Sequence, residues 1–169
     1  MVSVGQPPAP APLTPIRFSG FTPEFIPFLN YSPHRVIYQN AVYPTAMHLH
    51  EAMKFLPNSP AFAERIRACA DVGRVHVLSK KLTRQSPNAV RSDWVSVYLL
   101  MMEEAIILKF RQHANLQEML LSTGDAPLIY ADAEDTYWGE GPDHNGMNNL
   151  GLLLQRIRTQ LRSESRLTS

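Results

Sequence analysis

Hydrophobic residues recur along much of this chain at intervals of three and four, and this spacing predicts a mainly helical protein. The clearest early case begins after Thr45, whose side chain can cap a helix. Ala46, Leu49, Met53 and Leu56 then fall on one helical face, and we expect them to point into the core.

Two longer helical patterns follow this first helix. One is expected to begin after Ser59 as its N-cap, with Pro60 at the first helical position, and to end at Gly73. The other, "RSDWVSVYLLMMEEAIILKFRQH", is the longest in the chain. Its predicted N-cap is Ser92. Asp93 would lie in the first turn, where the helix dipole stabilises a negative charge.

The remaining segments predict two more helices and a few short strands. "NLQEMLLSTGD" predicts a short helix ending near Gly124. Val36–Tyr38 and Ala41–Tyr43 predict a hairpin around Gln39-Asn40, because asparagine tolerates the positive φ of such a turn, and "PLIYA" predicts one further strand. The C-terminal segment predicts an amphipathic helix whose inward-facing residues are Leu150, Leu153, Leu154 and Ile157.

Length and composition indicate one ordinary globular domain. The 169 residues suffice for a single core, and 44% hydrophobic with 18% charged residues is typical of such proteins. Sixteen Lys and Arg residues against 15 Asp and Glu residues argue against binding to long nucleic acid or to an anionic membrane. We expect residues 18–163 to form a mainly helical α+β domain that includes a small hairpin. A proline-rich disordered tail at 1–17 would precede it, and a C-terminal tail at 164–169 would follow it.

The cysteine content and the apolar runs favour an intracellular protein. A single cysteine, Cys69, excludes an internal disulfide framework and a thiolate zinc site. The N-terminal residues lack the basic end and apolar run of a signal peptide, and Glu103 and Glu104 interrupt the longest apolar run. We expect a cytoplasmic location, with the nucleus left open, and no membrane span.

The segment "HLHE" is the most tempting candidate for a metal site. His48 and His50 are two residues apart and diverge on a helix, whereas a helical zinc pair needs a spacing of four. A partly buried histidine or an aromatic-like wall residue is the better interpretation, so we predict neither a metal ion nor another cofactor.

Residues 135–151, "DTYWGEGPDHNGMNNLG", gather four of the eight glycines and one of two tryptophans. Glycines let backbone N–H groups approach an anion closely, and Trp138 offers a face for a base. Gly139, Gly141 and Asn148 would shape such a loop beside Asp135. The alternative is a turn-rich connection around a buried tryptophan.

A second group of candidates lies on the first helix and before the long one. Glu51 and Lys54 are three residues apart and could be a surface ion pair. On a cleft wall the carboxylate could instead stabilise a cationic transition state, and Lys54 could attack a sugar carbon. Trp94 is open to a core or a stacking role, and Arg91 to a surface or a phosphate-binding role.

Six motifs in order resemble the NADAR domain family, also called YbiA-like N-glycosidases. The resemblance covers residues 25–158, nearly the whole predicted domain. Its motifs fall in the segments "LNYS", "RSDW" and "STGD", in the hairpin turn Gln39-Asn40, and in "DTYWGEG" and "GMNNLG". A single such motif would mean little, but six in this order are specific.

The resemblance implies an α+β domain that cleaves N-glycosidic bonds without a metal ion. Its implied substrates are phosphorylated ribosylamino-pyrimidine intermediates of riboflavin synthesis, or ADP-ribose attached to guanine, as a nucleotide or in a short single strand. The catalytic candidates are Glu51, Lys54 and Asp135, whereas the recurring Lys109 is given a structural role. The substrate-binding candidates are Asn30, His48, Arg91, Asp93, Trp94, Trp138, Gly139, Gly141 and Asn148.

One position departs from the family pattern. The helix after the hairpin carries Met47 where many members have a glutamate. Glu51 follows one helical turn later, and residues four apart share a face, so its carboxylate could reach the same pocket. The alternative is a catalytically inactive module that still binds ADP-ribose or a related nucleotide.

Overall fold

The computed structural model describes residues 13–167, and helices dominate this part of the chain. None of these helices is long and apolar enough to cross a membrane. The helices are α1 (Ala46–Met53), α2 (Pro60–Arg67), α3 (Val72–Gln85), α4 (Trp94–Gln112), α5 (Ala114–Ser122) and α6 (Asn149–Leu167), with short 3-10 helices at Pro23–Phe28 and Pro87–Ala89.

A two-stranded parallel sheet joins the N-terminal part of the described chain to the segment before the glycine-rich loop. β1 (Ile16–Phe18) pairs with the last strand, β4 (Leu128–Tyr130), with Ile16 opposite Leu128. The strand in "PLIYA" is therefore confirmed. The tail expected at residues 1–17 is corrected at its end, because Ile16 and Arg17 belong to this sheet, whereas residues 1–12 lie outside the described part.

The predicted hairpin is confirmed. Strands β2 (Val36–Tyr38) and β3 (Ala41–Tyr43) pair antiparallel, with Tyr38 opposite Ala41. Gln39 and Asn40 both have positive φ, 48° and 63°. Two consecutive left-handed residues give the turn the twist that matches its strands.

Helix α1 lies at the centre of the domain, packed against α2, α3 and α4. Its predicted cap is confirmed, since the Thr45 side chain accepts a hydrogen bond from the His48 backbone N–H at 3.2 Å. Apart from half-buried Met47, every residue of α1 is buried, including His48, His50 and Glu51. Buried polar groups need hydrogen-bond partners inside the protein. The elements packed around this short helix must therefore supply those partners.

Two predicted helix boundaries before the long helix were wrong. Helix α2 ends at Arg67 and not at Gly73. Gly73 lies in the first turn of α3, where the Gly73 N–H donates a capping hydrogen bond of 2.9 Å to Asp71 Oδ1. Helix α3 was not expected from the residue pattern. Helix α4 follows Asp93 rather than Ser92, and the Asp93 side chain pairs with Arg91 instead of capping the helix.

The C-terminal helix α6 packs against β4 and α5. Its predicted inward-facing residues are all buried, which confirms the amphipathic pattern. The expected tail at 164–169 is corrected in part, because α6 remains helical through Leu167. Residues 168 and 169 lie outside the described part of the chain.

Candidate active site

A cavity of about 280 Å³ opens beside α1, and four of the predicted site residues line it. Its walls come from the segment after the first 3-10 helix, from α1, α3 and α4, and from the glycine-rich loop. The lining residues are Leu29, Asn30, Tyr31, Met47, His50, Glu51, His76, Tyr98, Met102, Tyr130, Asp135, Trp138 and Leu150.

Glu51 supplies a buried carboxylate to this cavity and is only 5% exposed. Its Oε1 accepts a hydrogen bond from His76 Nδ1 on α3 at 2.8 Å. Burial raises the pKa of this carboxyl, but the His76 hydrogen bond, together with nearby His50 and Ser79, outweighs burial and holds the pKa below its usual range. Glu51 is therefore ionised at neutral pH.

The hydroxyl of Ser79 lies one helical turn beyond His76 and is fully buried. Within the described residues its Oγ has no hydrogen-bond partner of ordinary geometry. It still lowers the pKa of Glu51, so its effect on the carboxylate is that of a nearby dipole rather than of a well-formed hydrogen bond.

His50 is buried against the aromatic side of the cavity. Its Nε2 lies 3.1 Å from the Tyr98 carbonyl oxygen, an acceptor, so Nε2 carries the proton. Burial lowers the pKa of His50 despite the opposing charge of Glu51. A neutral imidazole with an acceptor Nδ1 therefore faces this space.

Aromatic rings form a continuous wall from α1 to the loop. Trp94 and Tyr98 contact the His50 ring at centroid distances of 5.1 and 4.8 Å, and Trp138 lies 5.7 Å from Tyr98. Burial raises the pKa of Tyr98 to about 12, so its phenol stays protonated. Tyr98 and Trp138, the members of this group that line the cavity together with His50, can hold a planar base by stacking.

Asp135 and the glycines use most of their polar groups inside the loop. Asp135 Oδ1 accepts hydrogen bonds from the backbone N–H groups of Tyr137 and Trp138, at 2.9 and 2.7 Å. The N–H of Gly139 donates to Asp135 O and that of Gly141 to Asp132 O. The expected cradle of glycine N–H groups around a phosphate is therefore corrected, because these donors are already engaged.

Asn148 ties the end of the loop to β4. Its Oδ1 accepts from the Tyr130 N–H at 2.9 Å, and its Nδ2 donates to the Leu128 carbonyl at 2.9 Å. Its φ is +49°, a value that asparagine tolerates better than most residues. The structure thus places Asn148 behind the cavity wall rather than on it.

Asn30 lines the cavity from the segment 29–31, and a buried lysine fastens that segment. Lys109 Nζ donates to the carbonyl oxygens of Pro27 and Leu29, at 2.7 and 2.8 Å, and contacts Ser32 Oγ at 3.1 Å. Burial lowers the pKa of Lys109 to about 7. Its predicted structural role is confirmed.

Lys54, Arg91 and Trp94 do not line the cavity; they line a separate shallow depression beside it. Arg91 is held by Asp93, with Nε 2.6 Å from Oδ1, and Asp93 itself is exposed. Burial lowers the pKa of Lys54, against the opposing charge of Glu51. Glu51 on α1 and Lys54 just after its end, both predicted to be catalytic, therefore face different spaces.

His48 has a structural position instead of a place on the cavity wall. Its Nε2 donates to the Cys69 carbonyl at 2.9 Å, and its Nδ1 contacts Thr45 Oγ1 at 2.8 Å. His48 and His50 thus point to different partners. No group of three or more potential metal ligands occurs among residues 13–167.

Sequence reasoning missed the contribution of α3. His76 and Ser79 both act on Glu51, yet neither belongs to a motif of the family resemblance. The buried positions Val75, Ser79 and Leu82 recur at intervals of four and three. That periodicity could have predicted the helix, although it could not have shown which residue on α1 it meets.

Comparisons with known proteins agree with this architecture. Residues 15–162 match the family model described as the NADAR domain. An N-glycosidase of Nostoc punctiforme is 35% identical over 83% of this chain and 88% of its own length. Escherichia coli N-glycosidase YbiA is 32% identical over 89% of this chain and 91% of its own length.

The solution structure of Escherichia coli YbiA has the same fold, with a TM-score of 0.76 and 31% identity over 91% of this chain and 88% of that one. A maize chloroplastic protein named as the riboflavin biosynthesis protein PYRR is 32% identical over 79% of this chain, which spans 23% of that longer protein. The family match and the relatives together show that this chain belongs to the NADAR domain family.

Proposed function

We propose that this protein is an N-glycosidase that hydrolyses the C1–N bond of a ribosylated substrate in the cavity beside α1. The observation that carries the proposal is the buried, ionised Glu51 in a cavity with an aromatic wall. The family membership and the relatives named as N-glycosidases support the reaction class.

The chemistry requires a negative charge beside the sugar. As the C1–N bond stretches, positive charge develops on the ribose, and a fixed carboxylate stabilises this transition state more than the ground state. Glu51 supplies that charge. Asp135, which also lines the cavity, would bind the ribose hydroxyls through the oxygen that does not hold the loop.

The size of the cavity indicates which part of a substrate it holds. About 280 Å³ is near the lower end for ligand pockets and suits a ribose with its base, the base lying against Trp138 and Tyr98. Phosphate groups would then lie outside. Lys54 in the neighbouring depression favours a phosphate-holding role over an attack on the sugar carbon.

Borohydride trapping separates those two roles of Lys54. A covalent sugar adduct that disappears in Lys54→Ala would identify an imine and the nucleophilic role. Active turnover without any adduct would support the phosphate-holding role, because an imine intermediate would have been reduced and retained.

A binding-only module is the second candidate, and Met47 is the observation that favours it. Met47 lines the cavity at the position where many family members have a glutamate. If Glu51 does not replace that acid, the chain would bind a nucleotide without cleaving it, and Met47→Glu would create turnover. If Glu51 already acts, the additional carboxylate would bring no such gain.

The first test is mass spectrometry of reaction products. The purified chain is incubated, with a chelator present, with ADP-ribosylated guanosine and separately with a ribosylamino-pyrimidine phosphate. Release of ADP-ribose or of ribose phosphate would show N-glycosidase activity without a metal ion and would name the substrate class. Binding of ADP-ribose without turnover of either compound would instead support the binding module.

A further inference from the structure

His76 lies at the open side of the cavity and contacts the buried Glu51. The His76 side chain is 48% exposed, whereas that of Glu51 is 6% exposed. A salt bridge between two surface groups would be ordinary, but this pair joins a buried carboxylate to an imidazole that solvent and a ligand can reach. The pair also lines the cavity through both of its members.

The geometry fixes which nitrogen of His76 binds the carboxylate. Glu51 is ionised and can only accept, so His76 Nδ1 donates its proton across the 2.8 Å contact with Oε1. No hydrogen bond joins Nε2 to any of residues 13–167. Nε2 is therefore the nitrogen that can exchange a proton with a bound molecule.

Proton transfer is the step that the other cavity residues are least suited to supply. Asp135 Oδ1 already accepts from two backbone N–H groups, and Tyr98 stays protonated far above neutral pH. His50 uses its proton to bind the Tyr98 carbonyl. The titratable groups that face His76 or share its cavity are Glu51, His50, Tyr98, Tyr31, Tyr130 and Asp135.

We propose that His76 is a catalytic residue, the general acid that protonates the departing base, and that Glu51 orients its imidazole. This inference rests on the proposed N-glycosidase function. A histidine held by a carboxylate through Nδ1 presents Nε2 in one orientation.

The reaction balances with water as the only co-reactant. The C1–N bond breaks with its electron pair going to the base nitrogen, which receives the proton from His76 Nε2. Water then adds to C1, and its surplus proton returns to Nε2. The products are the sugar with a C1 hydroxyl and the base with an N–H, and His76 is regenerated.

Two substitutions separate proton transfer from the positioning of Glu51. In His76→Asn the side-chain amide can still donate to Glu51 Oε1 but cannot transfer a proton, whereas His76→Ala loses both functions. Lys81→Gln, at an exposed position of α3, is the matched control. All variants are tested on a ribosylated base and on the same base made cationic by ring N-methylation, which departs without needing a proton.

We expect His76→Asn and His76→Ala to lower kcat roughly 100- to 1,000-fold on the neutral base and less than about fivefold on the cationic base. Because His76 is half-exposed, added imidazole should restore part of the turnover in His76→Ala. Lys81→Gln should keep full activity. In the unaltered chain, ¹⁵N NMR should find the proton of the neutral His76 ring on Nδ1.

Several results would overturn the inference. Full activity of His76→Asn on the neutral base would reduce His76 to a positioning residue, and equal losses on both substrates would indicate a structural defect. A proton found on Nε2 alone would contradict the hydrogen bond to Glu51. Absence of turnover by the unaltered chain on either substrate would overturn the proposed function as well.

Discussion

The two sides of the cavity use their polar groups in opposite ways. On the helical wall, formed by α1, α3 and α4, Glu51 and His76 bond to each other inside the cavity. On the loop side, formed by residues 131–148, Asp135 accepts hydrogen bonds from backbone N–H groups, and Asn148, behind the wall, bonds to a backbone N–H and a backbone carbonyl. Side chains of the helical wall are arranged for a ligand, whereas those of the loop side hold the chain in shape.

The difference follows from where backbone hydrogen bonds are made. Helices satisfy their own backbone groups, so polar side chains on them remain available for other partners. An irregular loop must satisfy its N–H and C=O groups with side chains and tight turns, which consumes aspartates, asparagines and glycines. A loop rich in such residues is therefore only weak evidence for a catalytic site.

The largest expected effect contrasts the two carboxylates. Glu51→Gln should lower kcat/KM about 1,000-fold, equivalent to about 4 kcal/mol, because the transition state loses its buried counter-charge. Asp135→Asn keeps an oxygen that can accept from the loop N–H groups, so its loss should stay within about tenfold. Steady-state kinetics on one ribosylated substrate measure both, and a reversed order would place the chemistry on the loop side.

The next largest effect tests the packing of α6 against β4, which holds the end of the loop in place. A Cβ at Gly151 would lie 2.1 Å from the Leu128 carbonyl oxygen, so Gly151→Ala must push α6 away from β4. We expect a loss of about 3 kcal/mol in the free energy of unfolding, measured with urea. Gly73→Ala is the control, since its Cβ would meet only the end of the Asp71 side chain, and it should be close to neutral.

A smaller loss is expected when Asn148 is removed. Asn148→Ala leaves the Tyr130 N–H and the Leu128 carbonyl without their side-chain partner, which should cost about 2 kcal/mol of unfolding free energy. Its neighbour provides a comparison, because Asn149→Ala breaks one exposed hydrogen bond, to the Tyr137 carbonyl, and should cost less. Equal costs for the two variants would contradict the anchoring role of Asn148.

The smallest effect concerns the buried lysine, Lys109, that holds the segment 29–31. The folded-state pKa of Lys109 is about 7, against 10.5 for an unburied lysine. As pH falls from 10.5 towards 7, the unfolded chain gains a proton that the folded chain does not, so stability is lost. Between pH 9 and pH 8 this loss should be about 1 kcal/mol greater than in Lys109→Met. Parallel pH profiles for the two proteins would argue against a lowered pKa.

Local patterns predicted those elements whose signals lie within a few residues. The hairpin at Gln39-Asn40, the Thr45 cap and the inward face of α6 all depend on short-range backbone and packing preferences, and all are confirmed. The predicted helix end at Gly73 was wrong because it, too, rested on a local preference. A glycine often ends a helix, but here Asp71 caps a new helix across it, and both choices are locally reasonable.

The strand β1 could not be recognised, because three residues after a run of prolines form a strand only when Leu128–Tyr130 lies beside them. The site residues, likewise, could be predicted only where the signal was local. Helical spacing brought Glu51 onto the face of Met47, as expected, but did not show that Lys54 faces another space. Lys54 is three residues after Glu51, about 60° short of a full helical turn, and it follows the last residue of α1, so its side chain reaches a different depression.

Residue patterns alone predicted the hairpin, every α-helix of the described residues except α3, the family, and a carboxylate one turn after Met47. Packing, in contrast, brings His76 and Ser79 next to that carboxylate and leaves Lys54 outside the cavity. It also shows that the polar groups of the glycine-rich loop form hydrogen bonds within the loop. The physical reason is that an element forms from contacts a few residues apart. The ionisation and partners of Glu51 depend instead on groups about 25 residues away, which only packing brings within hydrogen-bond distance.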